Sequence, residues 1–284
     1  MEKAKQQSAH HAQDGGDIGK EVKGSGVPKA APALKKTGEW FIGTSGWQYR
    51  HWKGVFYPEE VKQKDWLGNY AARFKTVELN SSFYHQPKKE VFAGWAKKAA
   101  PGFEYAVKAP RFFTHLKKLD VTKEDLDYFL DAAGALGSHL GPLLFQLPPK
   151  WQLNLDRLAA FLQLLPRGLK VTFEFRDATW YEPALYSLLT QYDSAFCIYE
   201  LGGHRSPVIS TASFCYIRLH GPGAKYRGKY TDAQLEQWAD QILTWSREGK
   251  DVYLFFDNDD SGYAPANALT LIKLLDDFNN QGRD

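Results

Sequence analysis

A carboxylate stands inside an apolar run of this sequence. In "KVTFEFRDATWYEP" (170–183), Glu174 sits among Val171, Thr172, Phe173 and Phe175, and Arg176 and Asp177 follow directly. Side chains along a strand alternate faces. Val171, Phe173 and Phe175 therefore share one side, while Thr172, Glu174 and Arg176 share the other. The same split in "TVELN" sets Val77 and Leu79 against Thr76, Glu78 and Asn80, and in "CYIRLH" it sets Cys215, Ile217 and Leu219 against Tyr216, Arg218 and His220. Lys108 follows "YAV", Gln146 follows "LLF", and Asp257 and Asn258 end "VYLFFDN". Polar groups of both signs thus end six runs. Such a set suits proton transfer beside a bound anion: Glu174 or Glu78 as acid/base, His220 as the other proton-transfer group, Arg218 and Lys108 as the anion holders. The plainer reading is that Glu78, Lys108, Glu174 and Arg218 only neutralise one another.

Loops add a second layer. "GPGAKYRGKY" (221–230) interleaves Lys225, Arg227 and Lys229 with Tyr226 and Tyr230 around glycines, a composition suited to phosphate. "PRFFTHLKK" (110–118) sets Arg111, His115, Lys117 and Lys118 beside Phe112 and Phe113. "GTSGWQYRHWKGVFYP" (43–58) offers Trp47 and Tyr49, and Trp180 follows the fifth run; these rings are candidates to frame the organic part of a ligand.

Rival chemistries find less support. No H-E-x-x-H or paired C-x-x-C occurs, so no cofactor or metal site is assigned, with a divalent ion left open. Two carboxylates invite a glycosidase reading, but adjacent Lys108 and Arg218 would lower their pKa values and disfavour a general acid. No G-x-S-x-G elbow or G-x-G-x-x-G turn is present.

The elements that must carry these residues are legible as eight short β-branched or aromatic runs: 39–45, 75–82, 103–110, 141–149, 170–177, 194–200, 213–221 and 250–259. Helical patterns separate most of them, with Thr122 and Asp125 spaced as a capping box, Pro87 and Pro183 suited to first turns, and Gly249 to a C-terminal stop. This alternation predicts an α/β chain, and the count predicts a (β/α)8 TIM barrel over residues 39–280. Only "LGGHRSPVISTA" joins the sixth and seventh runs, so that crossover is expected to lack a full helix. In a barrel, polar residues near strand C-termini surround the mouth where chemistry is placed.

With 284 residues, 43% hydrophobic, the chain can bury a large core. Residues 1–38 hold seven Lys against four acids, which accounts for the whole net charge of +3 and leaves the rest neutral. That excludes a strongly basic nucleic-acid domain but not a local basic patch. The same segment is polar and aperiodic and is expected to be a disordered tail. Cys197 and Cys215 lie in apolar runs and are expected to be reduced and buried. No secretory leader and no membrane-length apolar run is seen, which predicts a cytoplasmic protein without a membrane partner.

The blocks "GTSGW", "WKGVFYP", "TVELNSSFY", "FAGWAKKAAPGFEYAVKAPRFFTH", "GPLLFQLPP", "FEFRDATW", "YIRLHG" and "LFFDNDDSGYAPANAL" follow in order from residue 39 to about 275. With them the chain resembles the YecE-like family, domain of unknown function 72. The resemblance implies a TIM barrel and no reaction. The expectation from the residues is an enzyme acting on an anionic, phosphorylated small molecule or phosphodiester, by hydrolysis of a phosphoester or glycosidic bond. The alternative is a non-catalytic nucleic-acid or nucleotide binding protein using a basic, aromatic groove. The sequence sets no oligomeric state.

Overall fold

β-Branched and aromatic residues favour extended chain, and each of the eight runs becomes a strand of one sheet. The computed structural model describes residues 37–281. Its strands are β1 (Trp40–Thr44), β2 (Thr76–Leu79), β3 (Glu104–Lys108), β4 (Leu140–Gln146), β5 (Val171–Glu174) and β6 (Ser194–Leu201), followed by β8 (Phe214–Leu219) and β9 (Asp251–Phe256). A two-residue strand, β7 (His204–Arg205), folds back antiparallel on β6. All other pairings are parallel, in the order β1-β9-β8-β6-β5-β4-β3-β2. A bridge between Ser45 and Glu78 joins the two ends, with Gly46 N–H donating to the Glu78 carbonyl at 2.9 Å. The sheet is a nearly closed (β/α)8 barrel. Gly43 is required at this seam, since a Cβ there would lie 2.3 Å from the Thr76 carbonyl oxygen.

Helices cover the outside. The longer ones are α3 (Lys89–Ala96), α4 (Lys123–Gly134), α5 (Leu155–Leu164), α6 (Pro183–Gln191), α7 (Asp232–Arg247) and α8 (Tyr263–Gln281); α1 (Trp66–Ala71) and α2 (Ser81–Tyr84) are short. Thr122 and Asp125 form a reciprocal capping box, Pro183 opens α6, and Gly249, at φ +86°, ends α7. Pro87 instead precedes the N-cap of α3, Lys88. Between β6 and β8 no helix forms. The chain runs beside β6, and side chains substitute for a ladder: Ser206 Oγ accepts from Tyr199 N–H (2.9 Å) and Thr211 Oγ1 from Phe196 N–H (2.8 Å).

The alternation of faces holds. Val77, Leu79, Val171, Phe173, Ile217 and Leu219 lie under the helices, while Ala106, Leu144, Cys197, Tyr216 and Phe255 fill the interior. At the strand N-termini, Tyr253 stacks on Phe41 at 4.6 Å, accepts from Lys170 Nζ (2.6 Å) and donates to Glu104 (2.7 Å), which plugs that end. Both cysteines are free and buried, and burial pushes the Cys215 thiol up to about 11. Most of the expected tail lies outside the described residues, but Gly38 is held to α7: its N–H donates to the Ser246 carbonyl (2.9 Å), and Ser246 Oγ donates to its own (2.6 Å). No described helix is long and apolar enough to cross a membrane.

Candidate functional site at the barrel mouth

Arg218, near the end of β8, is almost fully buried and lies between two buried carboxylates. Its Nε is 2.9 Å from Glu78 Oε2, its Nη2 is 2.8 Å from Glu78 Oε1, and its Nη1 is 2.7 Å from Glu174 Oε2. Glu78 also accepts from Ser45 Oγ (2.5 Å) and Tyr216 OH (2.7 Å). Glu174 Oε1 accepts from Arg176 Nε, and its Oε2 faces the Cys197 thiol. Burial alone would raise both carboxyl pKa values. Arg218 outweighs it at Glu78, and Arg176 with Arg218 does so at Glu174, so both stay below the usual carboxylate range.

Arg176 continues the network. Its guanidinium lies 4.5 Å above the Tyr199 ring, and its Nη2 is 3.2 Å from His220 Nε2. A guanidinium only donates, so Nε2 is the acceptor and the imidazole proton sits on Nδ1. That proton goes to Asp257 Oδ2 at 2.9 Å. Burial and then Arg218 lower the His220 pKa, which keeps the ring neutral. Lys108 differs from its neighbours. Its Nζ lies 4.2 Å above the Phe83 ring, and among the described residues no carboxylate pairs with it. Burial first and Arg218 second push its pKa down to about 8, against the pull of Glu174, Glu78 and Asp257.

Among the described residues no three His, Cys, Asp or Glu side chains gather as metal ligands. The family model described as "Protein of unknown function DUF72" matches residues 41–283. The chain belongs to the DUF72 family. It is 23% identical over 270 residues to the UPF0759 protein YunF of Bacillus subtilis, spanning 83% of this chain and 94% of that one. With the UPF0759 protein YecE of Escherichia coli K12 it shares 27% identity over 144 residues, half of each chain. The crystal structure of a DUF72 family protein from Thermotoga maritima MSB8 superimposes with a TM-score of 0.76 at 29% identity, covering 84% of this chain and 99% of that one. A DUF72 family protein from Enterococcus faecalis V583, 20% identical, shares the fold at a TM-score of 0.72, with 84% and 95% covered.

The DUF72 mouth gathers Glu78, Glu174, Arg176, Arg218, His220, Asp257 and Lys108. Gln146 lies in register with Glu174 and is half-buried, as is Asn80, whose buried amide oxygen has no partner among the described residues. Tyr226 sets its ring edge-on to His220 at 5.3 Å, and Arg227 is exposed beside it. Arg111 is exposed after β3. Tyr49 is half-buried and spends its hydroxyl on the Ser45 carbonyl (2.5 Å). Three expected site residues stand elsewhere. Trp180 is fully buried, stacks on outward-facing Phe175 at 4.7 Å and donates to the Trp151 carbonyl at 2.6 Å, so it belongs to the outer core. Trp47 packs edge-on to Trp95 at 5.7 Å. Asn258, one residue past Asp257, faces the opposite side and bonds Gly228 O (2.7 Å) and Asn267 Oδ1 (3.0 Å), which fastens the 221–230 loop to α8.

Sequence reasoning passed over Ser45 and Tyr216 as donors to Glu78, although Tyr216 already stood in the inward set. It also missed Phe83, the platform under Lys108. No periodicity marks that residue, because α2 has only four residues.

Proposed function

We propose that the mouth binds a phosphorylated small molecule and hydrolyses its phosphoester. Lys108 carries this reading: a shielded ammonium among paired charges, with its own three donors unmatched by a carboxylate among the described residues. A phosphate dianion would relieve both the desolvation and the repulsion from Arg218 that depress it. Arg176, whose Nη1 has no hydrogen-bond partner among the described residues, adds donors to the same mouth.

The roles then divide by protonation. Water attacks phosphorus and gives its proton to His220 Nε2, which becomes available as the phosphate draws Arg176 away. Asp257 holds the opposite nitrogen and stabilises the imidazolium. The P–O bond to the alcohol breaks, and the Lys108 ammonium, held charged by the phosphate beside it, protonates the departing oxygen. Glu78 and Glu174 are positioning residues that fix Arg218 and Arg176. Glycoside cleavage needs one carboxyl kept protonated, and the arginines hold both of these ionised.

The test is a thermal-shift series with pyrophosphate, phosphate monoesters, oligonucleotides and neutral oligosaccharides, on the wild type and Lys108→Met. A ligand at about a hundred times its dissociation constant adds ~2.7 kcal/mol. Stabilisation by phosphate monoesters that disappears in Lys108→Met supports the proposal. Stabilisation by oligonucleotides alone, fading with salt and unchanged in the variant, would sink it in favour of nucleic-acid binding.

A further inference from the structure

Phe83 faces two ways in chemical terms. It carries Lys108 on its ring, and it also lines a hollow of about 530 Å³ together with Tyr84, Phe112, Leu116 and Tyr128. That volume lies within the range of small-molecule sites. Tyr84, Leu116 and Tyr128 are 68%, 63% and 74% exposed, an unusual grouping of large apolar side chains left in water.

The wall is shaped by uncommon backbone. Phe112–Leu116 forms a π-helical turn, a rare conformation frequent at functional sites. Lys118 and Leu119 follow at φ 48° and 65°, two consecutive left-handed residues without glycine. Such strain persists only where surrounding packing imposes it, and buried Leu119 anchors this segment.

Charge specifies the occupant. Arg111 lines the hollow and pairs with no carboxylate among the described residues. Burial first, and then Lys108 and Arg111, lower the pKa of His115, whose ring packs edge-on against Phe83 at 5.0 Å. Two cations therefore flank one aromatic junction. Of the acids on the rim, Asp125 is engaged by the Thr122 N–H at the start of α4, and Glu124 lies beside it. Five of its eleven lining residues are aromatic, which suits an offset or edge-on aromatic partner, and Gln86 and Arg111 add polar donors at its edge.

We infer that this hollow seats the aromatic body of the ligand whose phosphate rests on Lys108, so that the substrate class is phosphoesters of aromatic alcohols. The inference rests on the mouth being a phosphate site. Phe83 is the residue the two halves share: Lys108 Nζ lies 4.2 Å from its ring centroid, and the same residue lines the hollow.

Calorimetric titration with three non-hydrolysable probes separates the claims: methylphosphonate, 1-naphthylmethylphosphonate and neutral 1-naphthalenemethanol. The expected result is that the naphthyl phosphonate binds about tenfold or more tighter than methylphosphonate, which is about 1.4 kcal/mol. Leu116→Asp and Tyr128→Ser, both at exposed positions, should erase that advantage and leave methylphosphonate unchanged. Lys108→Met should weaken both phosphonates. Equal affinity for the two, lost together in Lys108→Met, overturns the aromatic inference and keeps the phosphate site. Binding of the neutral alcohol as tightly as the naphthyl phosphonate overturns the bipartite ligand. If neither phosphonate binds, the phosphate reading of the mouth fails and this inference fails with it.

Discussion

Replacing Arg218 by Met leaves a side chain of similar reach without charge, and the consequence can be worked from the contacts. Glu78 loses three of its five hydrogen-bonding contacts, those from Nε to both oxygens and from Nη2, and keeps Ser45 and Tyr216. Glu174 loses Nη1 but keeps Arg176. The penalty therefore falls chiefly on Glu78, a fully buried carboxylate left without a cation. Breaking such a pair from one side costs about 3–5 kcal/mol. The pH dependence follows from the signs. In the wild type Glu78 and Glu174 have lowered pKa values, so their contribution is present above the ordinary carboxylate pKa and is lost as pH falls through their folded values. In Arg218→Met, burial raises Glu78, so the variant is least penalised at low pH and loses stability as pH rises through that raised value. The gap between the two proteins should narrow from pH 7 to pH 5. Urea unfolding of wild type, Arg218→Met and Arg218→Met/Glu78→Gln at both pH values measures this, with the double variant recovering most of the loss. A loss below ~1 kcal/mol at pH 7, the value of an exposed pair, or a loss that neither Gln nor acid relieves, refutes the reasoning.

Three further outcomes are expected. Tyr216→Phe removes one hydroxyl donor from a buried carboxylate and should lower unfolding free energy by roughly 1.5–3 kcal/mol in denaturant melts, with a native circular dichroism spectrum. Phosphonate affinity measured from pH 8 to 10, where the probe stays a dianion, should decline as pH rises, because the depressed Lys108 loses its charge above about 8; a flat profile over that range in the wild type would remove Lys108 from the site. Trp180→Ala should cost ~3–5 kcal/mol as a core truncation while the surviving folded protein binds phosphonates with wild-type affinity, and selective loss of binding would return Trp180 to the site.

Much of the mouth was readable because strand side chains alternate with period two. Once Glu174 was placed opposite Phe173 and Phe175, the inward set of each strand followed, and with it Glu78, Arg218 and His220. What resisted was distance across the barrel. Glu78 and Glu174, on strands on opposite sides of the ring, share one guanidinium, and no local pattern reports that the interior is narrow enough for this. Asn258 misled because a residue just past a strand end still obeys the strand's facing, so a neighbour of Asp257 turns away from it; Trp180 misled because the short 3-10 turn Ala178–Trp180 after β5 folds its ring back onto outward-facing Phe175. "PRFFTHLKK" read as a basic groove because its charges dominate its composition. The π-helical turn instead directs Phe112 and Leu116 into the hollow, and Lys117 packs its ammonium 5.7 Å over Phe112.

The span between Glu78 and Arg218 has a consequence in time. They are 140 residues apart, and at ribosomal rates of about 5–20 residues per second the guanidinium emerges roughly 7–28 s after its partner. Through that interval β1–β4 can associate, but burying Glu78 would strand an ionised group. Glu78 therefore has its cation only once β8 has been made, and the same arginine that completes the mouth neutralises the barrel interior.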